Sequence, residues 1–482
     1  MLYHSTRSGA NPVDSARAVV QGLAPDGGLY MPEYIPDFDW KECLRLDAVA
    51  MATQILSALL PDIPQMDQLV KNAYVGKFET EDLTPTVAVG DYTVLELFRG
   101  PTSAFKDVAL QMLPQLLTTA KDVCGEKEDI MILTATSCDT GKAALEGFKD
   151  VPGSRITVFY PDGGVSKVQR AQMVSQEGEN VTVCAVRGNF DDAQTGVKNI
   201  FTACQGKDLP FRLSSANSIN IGRLAPQVMY YFKAYKDLMD AGKIRLGDQV
   251  NFSVPTGNFG NILAGYLAKQ LGLPVGMLIC ASNSNDVLTE FLNTGRYNRI
   301  RLFHKTLSPS MDILVSSNLE RLLYLLSGED TALVAELMAK LNTEGSYTVP
   351  AGLLETIQAS FWAGCCDDNG AQDAIAKVWT EHGYLCDPHT ATGWAVAEDY
   401  VNQTGDRRPM VVLSTASPYK FPTAVLDALG GDLGGDEFDQ MERLSATTGV
   451  KIPGNLAGLR EKQERHSSVI KKDAMLEFVL GL

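Results

Sequence analysis

The sequence has no apolar run long enough to cross a lipid bilayer, which excludes a protein organised around membrane-spanning helices. Its first twenty residues, MLYHSTRSGANPVDSARAVV, lack the positively charged segment followed by an apolar one that marks a secretory signal. We therefore expect a cytoplasmic protein with no membrane partner.

Basic residues are in the minority, because 42 lysines and arginines stand against 58 aspartates and glutamates, for a net charge of −16. Such a charge disfavours binding to nucleic acid or to an anionic membrane surface. A small anionic substrate remains compatible with it, since a binding site needs only a few local cations.

Cysteine and histidine are also sparse, with nine and five residues. Apart from the adjacent Cys365 and Cys366 the cysteines are scattered, and neither residue type shows the spacing of zinc ligands. We predict no metal site, and cysteines that are reduced and mostly structural, as is typical of the cytosol.

The sequence does contain six short runs rich in β-branched residues, each ending in a small polar turn. They span residues 130–137, 155–164, 181–190, 250–260, 275–283 and 410–418, and helix-like segments lie between them. This alternation predicts an α/β fold with parallel strands covered by helices on both faces. Ligands of such folds gather at the carboxyl ends of the strands, where these turns lie.

The length of 482 residues is sufficient for two or three domains. Residues 1–95 look mainly helical and predict a separate N-terminal domain, followed by a main domain over 96–482 with a smaller subdomain at about 110–215. Long helical periodicity at about 318–370 predicts a helical insertion. The acidic, glycine-rich stretch 430–440 is interpreted as a solvated loop.

One lysine lies in an unusual context, the stretch FRGPTSAFKDVAL over residues 98–110. Lys106 follows a Gly-Pro turn and is surrounded by apolar residues. A lysine at such a place usually extends its ammonium group into water. The alternative is a partly desolvated amine, which loses its charge more easily and then serves as a nucleophile or base.

The loop PTGNFGN, residues 255–261, follows one predicted strand and opens a helix-like segment. Its glycines allow backbone N–H groups to converge on an anion beside a helix N-terminus. The spacing matches neither a Walker A loop nor a dinucleotide fingerprint. An ordinary strand-to-helix turn is the alternative interpretation.

Two further polar clusters follow predicted strands. TATSCDTGKAA, residues 134–144, offers the hydroxyls of Thr136, Ser137 and Thr140 to a carboxylate, or is simply a helix cap. SSANSINIGR, residues 214–223, offers Ser218 and Arg223 to a phosphoryl group, or is a polar surface loop. With the lysine and the glycine loop, these clusters suit a pyridoxal phosphate enzyme acting on an amino acid that carries a second anionic group.

The ordered motifs carry a resemblance to a known family. They are YHSTRSG, GLAPDGGLYMPE, GPTSAFKD, TATSCDTG, NSIN, VPTGNFGNILAGY, TLSPSMDILVSSNLER, DPHTATG and LSTASPYKF. Over nearly its whole length the chain resembles the threonine synthase family, within the tryptophan-synthase-β-like, fold type II pyridoxal phosphate enzymes. The resemblance implies two open parallel-sheet subdomains within a catalytic domain at 96–482, and the N-terminal domain at 1–95.

The resemblance also implies roles for individual residues. Lys106 is expected to bond covalently to pyridoxal 5'-phosphate and to act as the catalytic residue. The cofactor is expected to contact the loop Gly257, Asn258, Phe259, Gly260 and Asn261 through its phosphate, Thr415 through its ring nitrogen and Asp139 near its phenolic oxygen. The substrate carboxylate is expected at Thr136, Ser137 and Thr140, and the substrate phosphate at Ser218 and Arg223.

The implied reaction converts O-phospho-L-homoserine and water to L-threonine and phosphate, in a monomer or homodimer. The alternatives are a phospholyase of the same fold, which releases 2-oxobutyrate, ammonia and phosphate, and an inactive homologue that binds a metabolite or partner. The chain departs from the family at three positions. The family usually has glycine where this chain has Cys138, often histidine where it has Ser417, and often tryptophan where it has Ile221. None of these departures removes an ionic contact.

Overall fold

The structure is a computed structural model, and it describes residues 1–7, 9–136, 139–207 and 209–482. Strands and helices are numbered along the chain. The N-terminal part begins with a three-stranded antiparallel sheet in the order β2-β1-β3. Its elements are β1 (Leu2–Ser5), β2 (Val13–Asp14), α1 (Ser15–Gln21), β3 (Tyr30–Pro32), α2 (Trp40–Cys43), α3 (Ala48–Leu59) and α4 (Met66–Tyr74). The helices were predicted, but the sheet was not, because its strands have only two to four residues.

A six-stranded sheet forms the larger part of the main domain, in the order β14-β11-β10-β15-β5-β4. All neighbours are parallel except β4 and β5, which form a hairpin at one edge. Its strands are β4 (Thr86–Val89), β5 (Tyr92–Glu96), β10 (Val250–Pro255), β11 (Val275–Ser282), β14 (Phe361–Cys365) and β15 (Met410–Ser414). Because β4 and β5 pair with β15, this sheet begins before residue 96.

Helices cover this sheet, and the buried α17 packs against β10, β11 and β15. The helices of this part are α9 (Ile221–Leu224), α10 (Met229–Asp240), α11 (Gly260–Gln270), α12 (Val287–Thr294), α16 (Asp368–His382), α17 (Pro388–Thr404), α18 (Pro422–Ala428) and α19 (Glu437–Thr448). The predicted loop at 430–440 therefore ends inside α19, whose N-cap is Asp436.

A second sheet has five parallel strands in the order β16-β8-β7-β6-β9. Its elements are α5 (Lys106–Val123), β6 (Asp129–Ala135), α6 (Asp139–Phe148), β7 (Ser154–Pro161), α7 (Lys167–Val174), β8 (Val181–Arg187), α8 (Phe190–Cys204), β9 (Phe211–Ser214), β16 (Ser468–Lys471) and α20 (Met475–Leu480). The α/β fold and all six predicted strands are confirmed, since β6, β7, β8, β10, β11 and β15 lie where the β-branched runs are.

The segment predicted as a helical insertion contains helices but is not purely helical. It holds α13 (Leu319–Leu326), α14 (Thr331–Thr343), β13 (Ser346–Thr348), α15 (Ala351–Gln358) and β14. β13 pairs with β12 (Arg296–Asn298), and β14 is an edge strand of the six-stranded sheet. The domain limits given above stay a prediction.

Across the described residues no helix has the length and apolar character needed to cross a bilayer. The eight cysteines of the described part of the chain are all free thiols. Burial raises the pKa of several of them, including Cys43 and Cys280 to about 12, so these thiols are protonated at neutral pH.

Candidate active site

Lys106 is a buried residue, with 8% of its surface exposed, at the first turn of α5. The backbone before it is fixed to the turn after β15, because the Phe105 N–H donates to the Thr415 carbonyl at 2.8 Å and Ala104 pairs with Ala416. The Lys106 Nζ donates to the Ser310 hydroxyl at 3.2 Å. Of the two interpretations of the sequence context, the structure therefore shows the buried lysine and not one that extends into water. The contacts of Phe105 and Ala104 place Lys106 close to Thr415.

The turn that precedes Lys106 is stabilised by its neighbour in the sequence, Asp107. The Asp107 carboxylate is fully buried and accepts hydrogen bonds from the Thr102 N–H at 2.8 Å and the Thr102 hydroxyl at 2.5 Å. Burial raises the pKa of Asp107 to about 6. These contacts set the direction in which α5 begins and therefore the position of Lys106.

Asp139 begins α6 and forms a buried ion pair with Lys420, which follows β15. The Lys420 Nζ lies 2.5 Å from Asp139 Oδ1, and the two side chains are 0% and 3% exposed. Burial alone raises the pKa of Asp139, but the ammonium groups of Lys420 and Lys106 outweigh it and hold the pKa at about 2. Asp139 is therefore a carboxylate at neutral pH, close to Lys106, and the pair joins the two sheets.

The glycine loop follows β10 and leads into α11. Phe259 takes a left-handed backbone conformation with φ 63°, and α11 has no side-chain N-cap. The first N–H groups of a helix have no partner inside the helix, so they are available to an anion here. A Cβ on Gly257 would lie 2.6 Å from the Ser310 carbonyl oxygen, so only glycine fits against this neighbour.

The side chains of this loop differ in what they offer. Phe259 is buried and packs against Phe361, so a ligand meets its backbone and not its ring. The Asn261 Oδ1 accepts from the Tyr230 hydroxyl at 2.6 Å, whereas its Nδ2 is buried without a partner among the described residues. The Asn258 carbonyl accepts from the Asn318 Nδ2 at 2.9 Å, which ties the loop to the segment before α13.

Thr415 directly follows β15, and its carbonyl accepts from the N–H of Phe105, the residue before Lys106. Its side chain is buried, with 4% of the residue exposed. Next to it, Ser414 and Thr390 exchange a hydrogen bond at 2.9 Å. The Ser417 hydroxyl accepts from the Tyr419 N–H at 3.3 Å, so this departure from the family caps a short helical turn.

Arg223 is a buried cation whose charge no carboxylate within the described ranges balances. Its side chain is 4% exposed; its Nη1 donates to the Ala216 carbonyl at 2.7 Å, and its Nε has no partner among the described residues. Burial lowers its pKa to about 10, which leaves the guanidinium charged at neutral pH. The half-buried Ser218 on the same segment donates to Asn217 at 3.3 Å.

The loop before α6 is only partly described, because the predicted site residue Ser137 and the adjacent Cys138 lie outside the described residues. The Thr136 hydroxyl is buried and accepts from the Gly141 N–H at 3.0 Å, which makes it a helix cap. Thr140 is half-buried on the first turn of α6. The capping interpretation of this cluster therefore holds for Thr136.

Several residues near Lys106 were not assigned a role from the sequence: Ser310, Asp387, His389 and Lys420. Each lies in a motif that carries the family resemblance, namely SPSMD, DPHTATG or SPYKF. The His389 Nε2 accepts from the Ser310 N–H at 3.1 Å, and its Nδ1 lies 2.6 Å from Asp387 Oδ2. The sequence shows only that each of these polar residues lies inside a family motif. It does not show which residue each one contacts in the fold.

The architecture is that of the fold type II class of pyridoxal phosphate enzymes, as predicted. A family model described as "Threonine synthase N terminus" matches residues 2–74, and one described as "Threonine synthase, C-terminal" matches residues 390–479. The chain is 39% identical over 472 residues to threonine synthase of Pseudomonas aeruginosa, which covers 96% of this chain and 95% of that protein. The chain belongs to the threonine synthase family.

Two further comparisons describe the same relationship. A crystal structure of pyridoxal-phosphate-bound threonine synthase from Brucella melitensis superimposes with a TM-score of 0.89 at 38% identity, covering 100% of this chain and 99% of that one. Human threonine synthase-like 1 is 39% identical over 435 residues, which is 86% of this chain. The chain spans only 58% of the length of that human relative.

Proposed function

We propose that the chain is a pyridoxal-5'-phosphate-dependent lyase that converts O-phospho-L-homoserine and water to L-threonine and phosphate. The observation that carries the proposal is the buried Lys106 amine, which lies beside the turn after β15 and donates to the Ser310 hydroxyl. Membership of the threonine synthase family supports both the cofactor and the substrate.

The residues present fit the proposed cofactor. A phosphate suits the uncapped N-terminus of α11 and the unpartnered Asn261 Nδ2, since both offer donors without a protein acceptor among the described residues. We assign the Thr415 hydroxyl to the ring nitrogen, and Asp139 lies close to Lys106. When bound, the cofactor supplies an electron sink for the substrate carbons.

We assign proton movement at the α and β carbons of the substrate to the Lys106 amine. The amine needs its lone pair for this task, and its buried position at the first turn of α5 holds it within the site. The Ser310 hydroxyl, which accepts from Nζ, orients the amine. The Asp139–Lys420 pair keeps a fixed negative and a fixed positive charge beside it.

The substrate phosphate is assigned to Arg223, with Ser218 as a second donor. A guanidinium that is buried and lacks a carboxylate partner among the described residues gains an ion pair when a dianion binds. The same contact stabilises the negative charge on phosphate as its bond to the γ carbon breaks. Ser137 and Thr140 are assigned to the substrate carboxylate, whereas the Thr136 hydroxyl caps α6 beside them.

Threonine and 2-oxobutyrate share the loss of phosphate and differ in whether water adds at the β carbon before release. We favour threonine because the family resemblance extends to motifs outside the cofactor site, and segments that closed over the substrate would favour hydration over early release. We further infer a cytosolic location. We also infer a monomer or a homodimer, and sedimentation of the purified protein tests this oligomeric state.

The direct experiment is incubation of the reconstituted protein with O-phospho-L-homoserine and quantitation of both products. We expect threonine and phosphate in equal amounts. An excess of 2-oxobutyrate would identify a phospholyase instead. Phosphate released together with homoserine would identify a phosphatase, and no turnover with the cofactor bound would favour an inactive homologue.

A further inference from the structure

Asp387, His389 and Ser310 form a chain of contacts that ends at Lys106. We propose that His389 is a positioning residue: it is anchored on Asp387, accepts the Ser310 N–H, and thereby sets where the Ser310 hydroxyl meets the Lys106 amine. The inference deepens the proposed function and rests on it.

The contacts of His389 determine which of its ring nitrogens carries hydrogen. The Ser310 backbone N–H is only a donor, so the Nε2 atom 3.1 Å away accepts and carries no proton. The hydrogen is therefore on Nδ1, which donates to Asp387 Oδ2 at 2.6 Å. His389 is 2% exposed and packs edge-on against Phe421, so its ring has little room to turn.

Asp387 is a rigid anchor for this ring. It is fully buried at the N-cap of α17, where the N–H groups of His389 and Thr390 and the Thr390 hydroxyl donate to its carboxylate. A carboxylate at a helix N-terminus is also stabilised by the helix dipole. Since α17 packs against β10, β11 and β15, the position of His389 is set by the central sheet.

Ser310 lies between this ring and the glycine loop. It belongs to the short 3-10 turn Pro309–Met311, and its carbonyl oxygen is in close contact with Gly257. Its N–H is held by His389 and its hydroxyl accepts from the Lys106 Nζ at 3.2 Å. Moving the turn therefore moves the hydrogen-bond acceptor of the amine and a wall of the loop together.

The arrangement contains an aspartate, a histidine and a serine, but it is not a nucleophilic triad. The histidine contacts the serine through the backbone N–H, and no proton passes from the hydroxyl to the ring by that contact. The role of His389 is consequently geometric: it acts on Lys106 through Ser310.

The test follows the covalent capture of pyridoxal 5'-phosphate by Lys106 in the apoprotein, trapped with borohydride and located by peptide mass spectrometry. This readout needs neither substrate nor turnover. Ser310→Ala removes the hydroxyl. His389→Asn keeps a polar group near Asp387 but does not reach Ser310, whereas His389→Gln places an acceptor oxygen close to the Nε2 position. His466→Asn, a half-buried histidine held on the Gln176 carbonyl, is the matched control.

We expect Ser310→Ala and His389→Asn each to slow capture about 3- to 10-fold, the range of one lost hydrogen bond. The double variant should be no slower than Ser310→Ala, since His389 acts through Ser310. His389→Gln and His466→Asn should stay within about 2-fold of the unaltered protein, by the same scale.

The proposal would be overturned if the double variant captured the cofactor more slowly than Ser310→Ala by the factor that His389→Asn shows alone. It would also be overturned if His389→Gln and His389→Asn slowed capture equally. If His389→Asn does not fold, Ser310→Ala decides: an unchanged capture rate refutes the inference, and a slower one together with an intact His389→Gln supports it. Failure of the unaltered protein to capture the cofactor at all would instead contradict the proposed function.

Discussion

Replacing Lys420 with methionine removes the partner of a buried carboxylate while keeping the length and apolar stem of the side chain. In the native protein Asp139 has a pKa of about 2, against an ordinary value of 3.8. Because the pKa of Asp139 is lower in the folded state than in the unfolded chain, the carboxylate stabilises the fold at every pH above about 3.8. This contribution is lost as the pH falls from 3.8 toward 2. The difference corresponds to about 2 kcal/mol.

The cost of Lys420→Met exceeds that figure, because the variant leaves a charged carboxylate buried without its closest cation. Breaking one side of a buried pair costs about 3–5 kcal/mol. Burial then raises the pKa of Asp139, so the variant should also unfold at a higher pH than the unaltered protein when acid is added. Urea unfolding at pH 7 and an acid titration measure the two effects.

Two comparisons isolate the charge. The double variant Lys420→Met/Asp139→Asn should recover part of the lost stability, because no unpaired charge stays buried. Lys377→Met breaks the exposed pair with Glu398 and should cost only about 0.2–1 kcal/mol. If Lys420→Met costs no more than Lys377→Met, or if the double variant is less stable than either single one, the reasoning about this pair is refuted.

Three further substitutions test individual assignments. Arg223→Ala should leave cofactor binding intact and weaken binding of the phosphorylated substrate by about 10- to 100-fold, for the loss of a charge-assisted contact of about 1.5–3 kcal/mol. Arg155→Ala, at a partly exposed arginine, is the control. A fall in cofactor affinity instead would mean that the two phosphate sites are exchanged. Thr415→Val preserves shape but removes the hydroxyl, so turnover should fall and the absorption spectrum should change; an unaltered spectrum and rate would show that the ring nitrogen faces another group. Cys138→Gly restores the residue usual in the family and should stay active, and an inactive but folded protein with its cofactor bound would give the thiol a function.

The fold was largely predictable because its central strands are continuous apolar runs. β6, β7, β8, β10, β11 and β15 lie inside their sheets and were all predicted. The edge strands β4, β9, β14 and β16 were not, because they are short and partly exposed, so their sequences resemble loops. The interior strand β5 was also missed; it has only five residues. The N-terminal sheet was missed for the same reason.

The site was predictable wherever a local pattern carries the chemistry. The glycine loop is such a pattern, since a strand, two glycines and a helix follow one another in the sequence. Lys106 was recognised as a candidate, but its burial was not decided by its neighbours in the sequence: it depends on Thr415 and Ser310, which are far away in the chain.

The supporting residues were not predictable because each is recognised only through its partner. Nothing in the sequence around Lys420 distinguishes it from other lysines; its role follows from Asp139 at the start of α6, whose Oδ1 lies 2.5 Å from the Lys420 Nζ. His389 and Ser310 are 79 residues apart and meet through a backbone N–H, which leaves no side-chain signature in the sequence.

The origin of the new hydroxyl oxygen tests the central claim most directly. The reaction is run on O-phospho-L-homoserine in water enriched in oxygen-18, and the products are analysed by mass spectrometry. Loss of phosphate by cleavage of its bond to carbon, followed by addition of water at the β carbon, predicts one heavy oxygen in the threonine hydroxyl and none in phosphate at early times. Heavy oxygen in phosphate with homoserine as the other product, or 2-oxobutyrate in place of threonine, would contradict the account.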